Sequence, residues 1–289
     1  MTDRRFVAAC LQMRSGMTVA ANVDEAVRLA REAASGGASY LQTPEMTNVL
    51  VRSREELFDR ILPEEADPAL AAFQELARVL KVWVHVGSLA IRLEGERAAN
   101  RAFVIDPSGE IVARYDKIHM FDVDLPDGES WRESQTYRAG EQAVVVDLPW
   151  GRLGLTICYD VRFPTLHRAL AENGAELLAS PAAFTRKTGE AHWHVLLRAR
   201  AVENGAFVIA AARGARHEDG RETYGHSLIV DPWGRVLAEG GEEPSVIMAE
   251  IDVSKSPDIR KRIPSLENGR RFAVQPLPSA PAMLHDVNP

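Results

Sequence analysis

The 289-residue sequence has only two cysteines, Cys10 and Cys158, so no disulfide framework organises it. A reducing compartment is the natural setting for such a chain. Long apolar runs are also missing. The N-terminal stretch MTDRRFVAAC carries a basic pair, but the apolar segment after it breaks at Gln12 and Arg14. That is too short for a signal-peptide core or a membrane span, so a cytoplasmic protein with no membrane partner is expected. Positive charge is in deficit: 34 Lys and Arg against 41 Asp and Glu give a net charge of −7. The aromatic residues do not interleave with a basic stripe, which leaves nucleic acid without support as a partner. A local arginine cluster can still bind a small anion. The phosphate-cradling G-x-x-x-x-G-K-[ST] and G-x-G-x-x-G loops and the G-x-S-x-G elbow do not occur. Zinc spacing such as H-E-x-x-H is absent too, and His192 and His194, two apart on a helix, diverge. No metal and no organic cofactor is expected.

What is present is the composition of an ordinary globular enzyme, 46% hydrophobic and 26% charged, long enough to bury a large core. Phe6 to Met13 reads as a buried strand. Thr18 opens a helix whose apolar face carries Val19, Val23, Ala26, Val27 and Ala30, and Gly36-Gly37 stops it. ASYLQTPE is a short strand ending at Pro44-Glu45. A helix over 68–80, a strand over 82–89 and a hairpin within AFVIDPSGEIVARYDK follow. The second half repeats this order. LGLTIC is a strand, 164–172 a helix, NGAELLASPAAF the counterpart of GGASYLQTPEM, 190–204 a long helix, AFVIAAA a strand and HSLIVDPWGRVLAEG a hairpin. Gly37 and Gly174, like Pro44 and Pro181, are offset by the same interval.

Two copies of strand–helix–strand–helix–strand–hairpin predict an α/β fold. Each half-sheet has helices on one face and needs cover on the other. Packing the two sheets together gives a four-layer α-β-β-α sandwich built from two pseudo-repeated halves. An ordinary three-layer doubly wound sheet is the simpler alternative, and the repeat argues against it. The domain is expected over 1–252, with 253–289 as an extended, proline-rich tail packing on the domain or on a partner subunit.

Ligands in such folds gather at the carboxyl ends of strands. Three chemically active residues stand there, each where an apolar run stops: Glu45, Lys117 and Cys158. Cys158 precedes YDVRFP and a helix, which places it on a sharp strand-to-helix turn with backbone N–H groups nearby. A buried structural cysteine is the ordinary alternative, and it is the reading for Cys10. A thiol with a pKa of ~8.5 needs a base or a positive neighbour to react at neutral pH. Glu45 is a possible base and Lys117 a possible cation. Taken singly, each is equally an ordinary surface charge.

The order TPE…YDKIH…ICYDVRFP resembles the nitrilase superfamily of carbon–nitrogen hydrolases, over about 7–272 of the chain. The resemblance implies a Glu–Lys–Cys triad on Glu45, Lys117 and Cys158, with a second glutamate at Glu133 in WRESQTYRAG. It also implies the four-layer sandwich and a homodimer or larger homo-oligomer. KIHMFDVDLP, CYDVRFP, TGEAHWHVLLRARAVEN and YGHSLIVDPWG are similar to the branch of omega-amidases and deaminated-glutathione amidases, and RHEDGRETYGHS tilts toward the latter. Tyr159 follows the cysteine where true nitrilases usually carry tryptophan.

The expected activity is hydrolysis of a small carboxylate-bearing carboxamide, of the deaminated glutathione or 2-oxoglutaramate type, through a thioester on Cys158 with release of ammonia. In that scheme Glu45 is the base. Lys117 and the Tyr159 backbone N–H form the oxyanion hole. Arg162 is a candidate for the substrate carboxylate, or else an arginine bridging surface acids. Phe184, Thr185 and His192 are carried over as pocket residues. Alternatives are an N-carbamoyl amino acid or aliphatic amide hydrolase, a glutamine-hydrolysing module serving a separate synthetase, and a non-catalytic binding protein with the same fold.

Overall fold

The computed structural model describes residues 3–125 and 128–275. Its two six-stranded sheets have the same plan. The first runs, in spatial order, Ser245–Asp252, Arg5–Gln12, Tyr40–Gln42, Trp83–Arg92, Ala98–Ile105 and Ile111–Asp116. The second runs Val144–Leu148, Gly151–Leu155, Leu177–Ala179, Phe207–Ala210, Leu228–Val230 and Val236–Glu239. In each, three strands are parallel, a hairpin continues one side, and an antiparallel strand closes the other. The pseudo-repeat is therefore real. The last strand of the second half, Ser245–Asp252, returns to pair with Arg5–Gln12 and finishes the first sheet.

Period-two alternation makes the layers. Along Arg5–Gln12, Phe6, Ala8 and Cys10 belong to the core shared with the second sheet. Ala9 and Leu11 face the opposite way, into the core formed with the helices Val19–Ser35 and Pro68–Leu80. On the other side Leu166 and Leu170 of the helix Pro164–Glu172 and Trp193, Leu197 and Ala201 of the helix Arg186–Asn204 cover the second sheet. The result is helices, sheet, sheet, helices.

Several boundaries differ from the sequence reading. The long helix starts at Arg186 rather than Glu190, because Gly189 does not break it. A Cβ there would lie 2.3 Å from Cβ of Tyr224, so the glycine admits the strand Glu222–Tyr224 against the helix. The strand before Cys158 ends at Leu155, leaving Thr156 and Ile157 to lead into the cysteine. The chain after Val253 does not begin as an extended tail. Lys255–Arg262 is a helix, tied down by Ser256 Oγ donating to the Gly205 carbonyl and Arg260 donating to the carbonyls of Asn204 and Ala175. Its few apolar residues hid it, since its anchors are polar. The part of the expected tail over 276–289 lies outside the described residues. No helix among the described residues is long and apolar enough to cross a membrane.

Candidate active site

The loop after Tyr40–Gln42 carries Glu45. Its backbone is fixed by the neighbouring strand Trp83–Arg92, with Met46 N–H donating to Ser88 Oγ (2.8 Å) and Thr47 N–H to the Ser88 carbonyl (2.7 Å). From the second half, Arg213 Nε donates to the Glu45 carbonyl at 2.6 Å. Lys117 is the first residue past Ile111–Asp116, held by its N–H to the Asn100 carbonyl at 2.9 Å. Cys158 opens a single 3-10 turn, Cys158–Arg162, with φ of 48°. A non-glycine residue seldom takes this left-handed conformation, and where it does the surroundings must enforce it. Here the enforcement is visible. Cys158 N–H donates to the Pro181 carbonyl at 2.8 Å. Asp160, fully buried, accepts from Ile157 N–H (2.9 Å), Tyr115 Oη (2.6 Å), His119 N–H (3.0 Å) and His119 Nδ1 (2.7 Å).

These elements bring Glu45, Lys117, Glu133 and Cys158 together in one cavity. Lys117 Nζ donates to Glu45 Oε1 (2.9 Å) and to Glu133 Oε1 (3.1 Å) and Oε2 (2.8 Å). Asn100 Nδ2 spans the same two carboxylates, at 2.8 and 3.1 Å. Phe121 N–H donates to Glu133 Oε2 at 2.7 Å and Ala183 N–H to Glu45 Oε2 at 3.0 Å.

Burial opposes charge on Glu45, Lys117 and Cys158, yet their charges sort cleanly. For Glu45 burial works against ionisation, but the Lys117 ammonium and the hydrogen bonds of Lys117, Cys158 and Asn100 outweigh it and hold the carboxyl below its usual range. For Lys117 burial is likewise overcome by Glu133 and Glu45, so its pKa lies well above that of a free lysine. The Cys158 thiol goes the other way. Burial and then the Glu45 charge push it up, and Lys117 offsets only part of this. The resting site is an ionised glutamate hydrogen-bonded to a neutral thiol, with an ammonium beside both.

The cavity, about 780 Å³, is also lined by Tyr159, Phe184 and Thr185, as expected. Arg162 and His192 do not line it. Arg162 NH2 lies 3.2 Å from His192 Nδ1, and its guanidinium packs over the rings of Phe184 (5.3 Å) and Tyr159 (5.9 Å). Arg162 thus packs behind two residues of the wall, and His192 reaches it through Arg162. A different arginine does face the cavity. Arg221 is held by Asp219 through Nε (2.5 Å) and sits over the Trp131 ring at 5.6 Å, while its buried NH2 has no hydrogen-bond partner among the described residues. Arg52, Arg54, Arg132 and Arg186 extend this cationic lining. Sequence reasoning passed over Asn100, Asp160, Arg213 and Arg221. Only the two-residue spacing of Asp160 from the cysteine, and the position of Arg221 in RHEDGRETYGHS, marked any of them.

Known proteins resemble this chain over most of its length. The family model described as carbon-nitrogen hydrolase matches residues 7–261. A deaminated glutathione amidase from Synechocystis sp. is 41% identical over 271 residues, covering 91% of this chain and 97% of that protein. Saccharomyces cerevisiae Nit3, a member of branch 10 of the nitrilase superfamily, superposes with a TM-score of 0.83 at 28% identity, over 93% of this chain and 97% of its own. A mutant of the amidase from Nesterenkonia sp. AN1, showing covalent addition of the acetamide moiety of fluoroacetamide at its active site cysteine, gives 0.77 at 27% identity, over 92% and 94%. With the family matched across nearly the whole folded chain, this protein belongs to the carbon-nitrogen hydrolases of the nitrilase superfamily and is an amidohydrolase.

Proposed function

We propose that the protein hydrolyses the carbon–nitrogen bond of a small carboxylate-bearing carboxamide of the deaminated glutathione type, through a thioester on Cys158. The observation that carries this reading is the ionised Glu45 carboxylate beside the neutral Cys158 thiol, with Lys117 bridging Glu45 and Glu133. As the sulfur attacks the amide carbon, its proton passes to Glu45. The carbonyl oxygen becomes an oxyanion, stabilised by Lys117 and the Tyr159 N–H at the start of the 3-10 turn. Losing one such donor typically costs a factor of ~10²–10³ in rate. Collapse of the tetrahedral adduct breaks the carbon–nitrogen bond, and Glu45 returns the proton to the leaving nitrogen, which departs as ammonia from a primary amide and as a free amine from a secondary one. Glu45 then takes a proton from water, which attacks the thioester and frees the acid and the thiol. Glu133 keeps Lys117 charged and oriented.

The substrate class follows from the lining. The unpaired NH2 of Arg221 is a donor for a carboxylate at the far end of the substrate, the role first considered for Arg162. Deaminated glutathione, the substrate in the name of the Synechocystis relative, has such carboxylates together with a secondary amide at its γ-linkage, and the cavity admits a molecule of its size.

The test is intact-mass detection of an acyl adduct during turnover of a panel of amides with and without a terminal carboxylate. The adduct is expected on the wild-type protein and absent from Cys158→Ala, which should stay folded but inactive. Turnover by Cys158→Ala at the wild-type rate, or equal preference for amides lacking a carboxylate, refutes the mechanism or the substrate class respectively.

A further inference from the structure

Outside the cavity, three side chains from separate elements converge. His194 lies on the helix Arg186–Asn204, His226 follows the strand Glu222–Tyr224, and Glu239 ends the strand Val236–Glu239. Glu239 Oε1 lies 2.8 Å from His194 Nε2 and 3.0 Å from His226 Nδ1. All three ligand atoms fall within 4.8 Å of one another. None of the three belongs to the chemistry proposed above. We propose that His194, His226 and Glu239 form a binding site for a divalent transition-metal ion of the zinc type, using two imidazole nitrogens and one carboxylate oxygen.

The donor set suits that ion. Zinc takes imidazole nitrogen and carboxylate oxygen at about 2.0–2.2 Å in tetrahedral geometry, with water free to complete a set of three protein ligands. Donors of one tetrahedral ion stand roughly 3.3 Å apart at those bond lengths. The two nitrogen–oxygen separations here are a few tenths of an ångström shorter, so small rotations of the side chains open the site. The side chains are 23–39% exposed, which leaves a path for the ion and its water.

The rings are held in place before any ion arrives. His226 sits at φ 53°, a conformation unusual for a residue with a side chain. Its N–H donates to the Gly241 carbonyl at 2.8 Å, and its carbonyl accepts from Trp193 Nε1 at 2.7 Å. Tyr224 stacks on its ring with centroids 4.3 Å apart. His194 meets the edge of both rings, at 6.0 and 5.7 Å. Rigid presentation of donors lowers the ordering cost of binding. An ordinary charge-assisted hydrogen-bond pair would need one imidazole; here two compete for the same carboxylate oxygen.

The site also has a structural consequence. The strand Glu222–Tyr224 contributes Glu222 and Thr223 to the cavity wall, and Tyr224 N–H donates to the Phe184 carbonyl at 3.0 Å. An ion joining His194 and His226 would fasten this wall to the long helix without touching the reacting atoms.

Equilibrium dialysis of the full chain against zinc alone, at neutral pH, tests the assignment. One ion per chain is expected, with affinity falling at least tenfold in His194→Gln and again in Glu239→Gln. Glutamine is a good helix former, and position 194 is partly exposed, so the first variant should fold. Cys158→Ala should bind as the wild type does. Absence of bound zinc on the wild type overturns the proposal. So does uptake that both variants retain and Cys158→Ala loses, which would place the ion on the thiol.

Discussion

At the scale of single residues, the charge pattern of the site makes a prediction that distinguishes two ways of using a cysteine. A thiolate nucleophile gives a rate that rises as the thiol ionises, near pH ~8.5 for an unperturbed group. In this protein burial and the Glu45 charge push the thiol up, whereas Glu45 itself is held below its usual range by Lys117 and the hydrogen bonds around it, against the cost of burial. The proposed base is therefore ready at neutral pH and the thiol is not ionised. The value of kcat/KM should be level from about pH 7 to 9, and the Glu45 contribution should fail only on the acid side, as the pH drops through its lowered folded pKa. A limb near pH 8.5 would mean that the thiolate is the resting nucleophile. Arg221 makes the second residue-level prediction. Removing a charged hydrogen-bond partner costs about 1.5–3 kcal/mol. Arg221→Met should therefore raise KM by about 10- to 100-fold for a carboxylate-bearing amide and change it little for a neutral one. Equal effects on both substrates would reassign Arg221 to holding the loop. Glu45, Lys117 and Cys158 stood out singly because each follows the abrupt end of an apolar run, but only the family resemblance of their motifs joined them into one site. Asn100 and Asp160 were not, because a polar residue inside a strand or turn looks alike whether it meets solvent or two buried carboxylates. Arg162 was misplaced for a related reason: four positions from the nucleophile on the page is not a direction in space.

At the scale of elements, the loop that carries Glu45 depends on one irregularity in its neighbour. The strand Trp83–Arg92 changes register against Ala98–Ile105 between Val86 and Leu89, and Gly87 lies in that bulge. Gly87 N–H donates to Thr43 Oγ1 at 2.9 Å, and a Cβ on it would come within 2.0 Å of the Thr43 carbonyl oxygen and 2.6 Å of Pro181 Cβ. The glycine thus lets the segments bearing Glu45 and supporting Cys158 close on the same strand. In Gly87→Ala the new methyl meets two backbone carbonyl oxygens, of Thr43 and Pro44, and the rigid Pro181 ring, with no flexible side chain to move, so it should cost at least about 1–3 kcal/mol in urea unfolding. Its activity should fall further than its folded fraction, because the forced shift acts on Thr43 and Pro44. Activity that tracks the folded fraction would show that the bulge serves packing alone. The sheet plan itself was legible, since apolar alternation, Asp-Pro-x-Gly turns and the offset repeat are all local signals. The bulge and the helix Lys255–Arg262 were not: one is a pairing irregularity, and the other is anchored by polar side chains to distant carbonyls.

At the scale of the whole molecule, the two halves share one core and one site. Gln12 accepts from Ser227 N–H (2.9 Å) and donates to the Gly241 and Glu243 carbonyls, and Gln42 accepts from Ala211 N–H (2.7 Å), so buried amides of the first half satisfy loops of the second. Neither half can open without uncovering the other, and unfolding should be a single transition, seen alike by activity and by tryptophan fluorescence. Three buried histidines set how that transition depends on pH. Burial holds His85 and His217 down to about 3 and His167 down to about 4. His85 lies against Tyr40, His217 against Ser15 and Thr223, and His167 against the Phe163 carbonyl, so they sample both halves. In the unfolded chain each takes up a proton near pH ~6.5, whereas in the folded chain none does until the pH is far lower. The unfolded state binds more protons over that window, so stability is full above about pH 6.5 and is lost as the pH falls toward the folded values. Glu25 and Asp67, whose carboxyls burial pushes up, act in the opposite sense and take back part of the loss. The urea midpoint should therefore decline between pH 7 and 5, before ordinary carboxylates titrate, with a net uptake of about one to three protons on unfolding near pH 5.5. His167→Gln should make that decline shallower by about one proton. A midpoint that stays level over this range would mean that the histidines are hydrated in the folded protein, and that the shared core is more open than its packing implies.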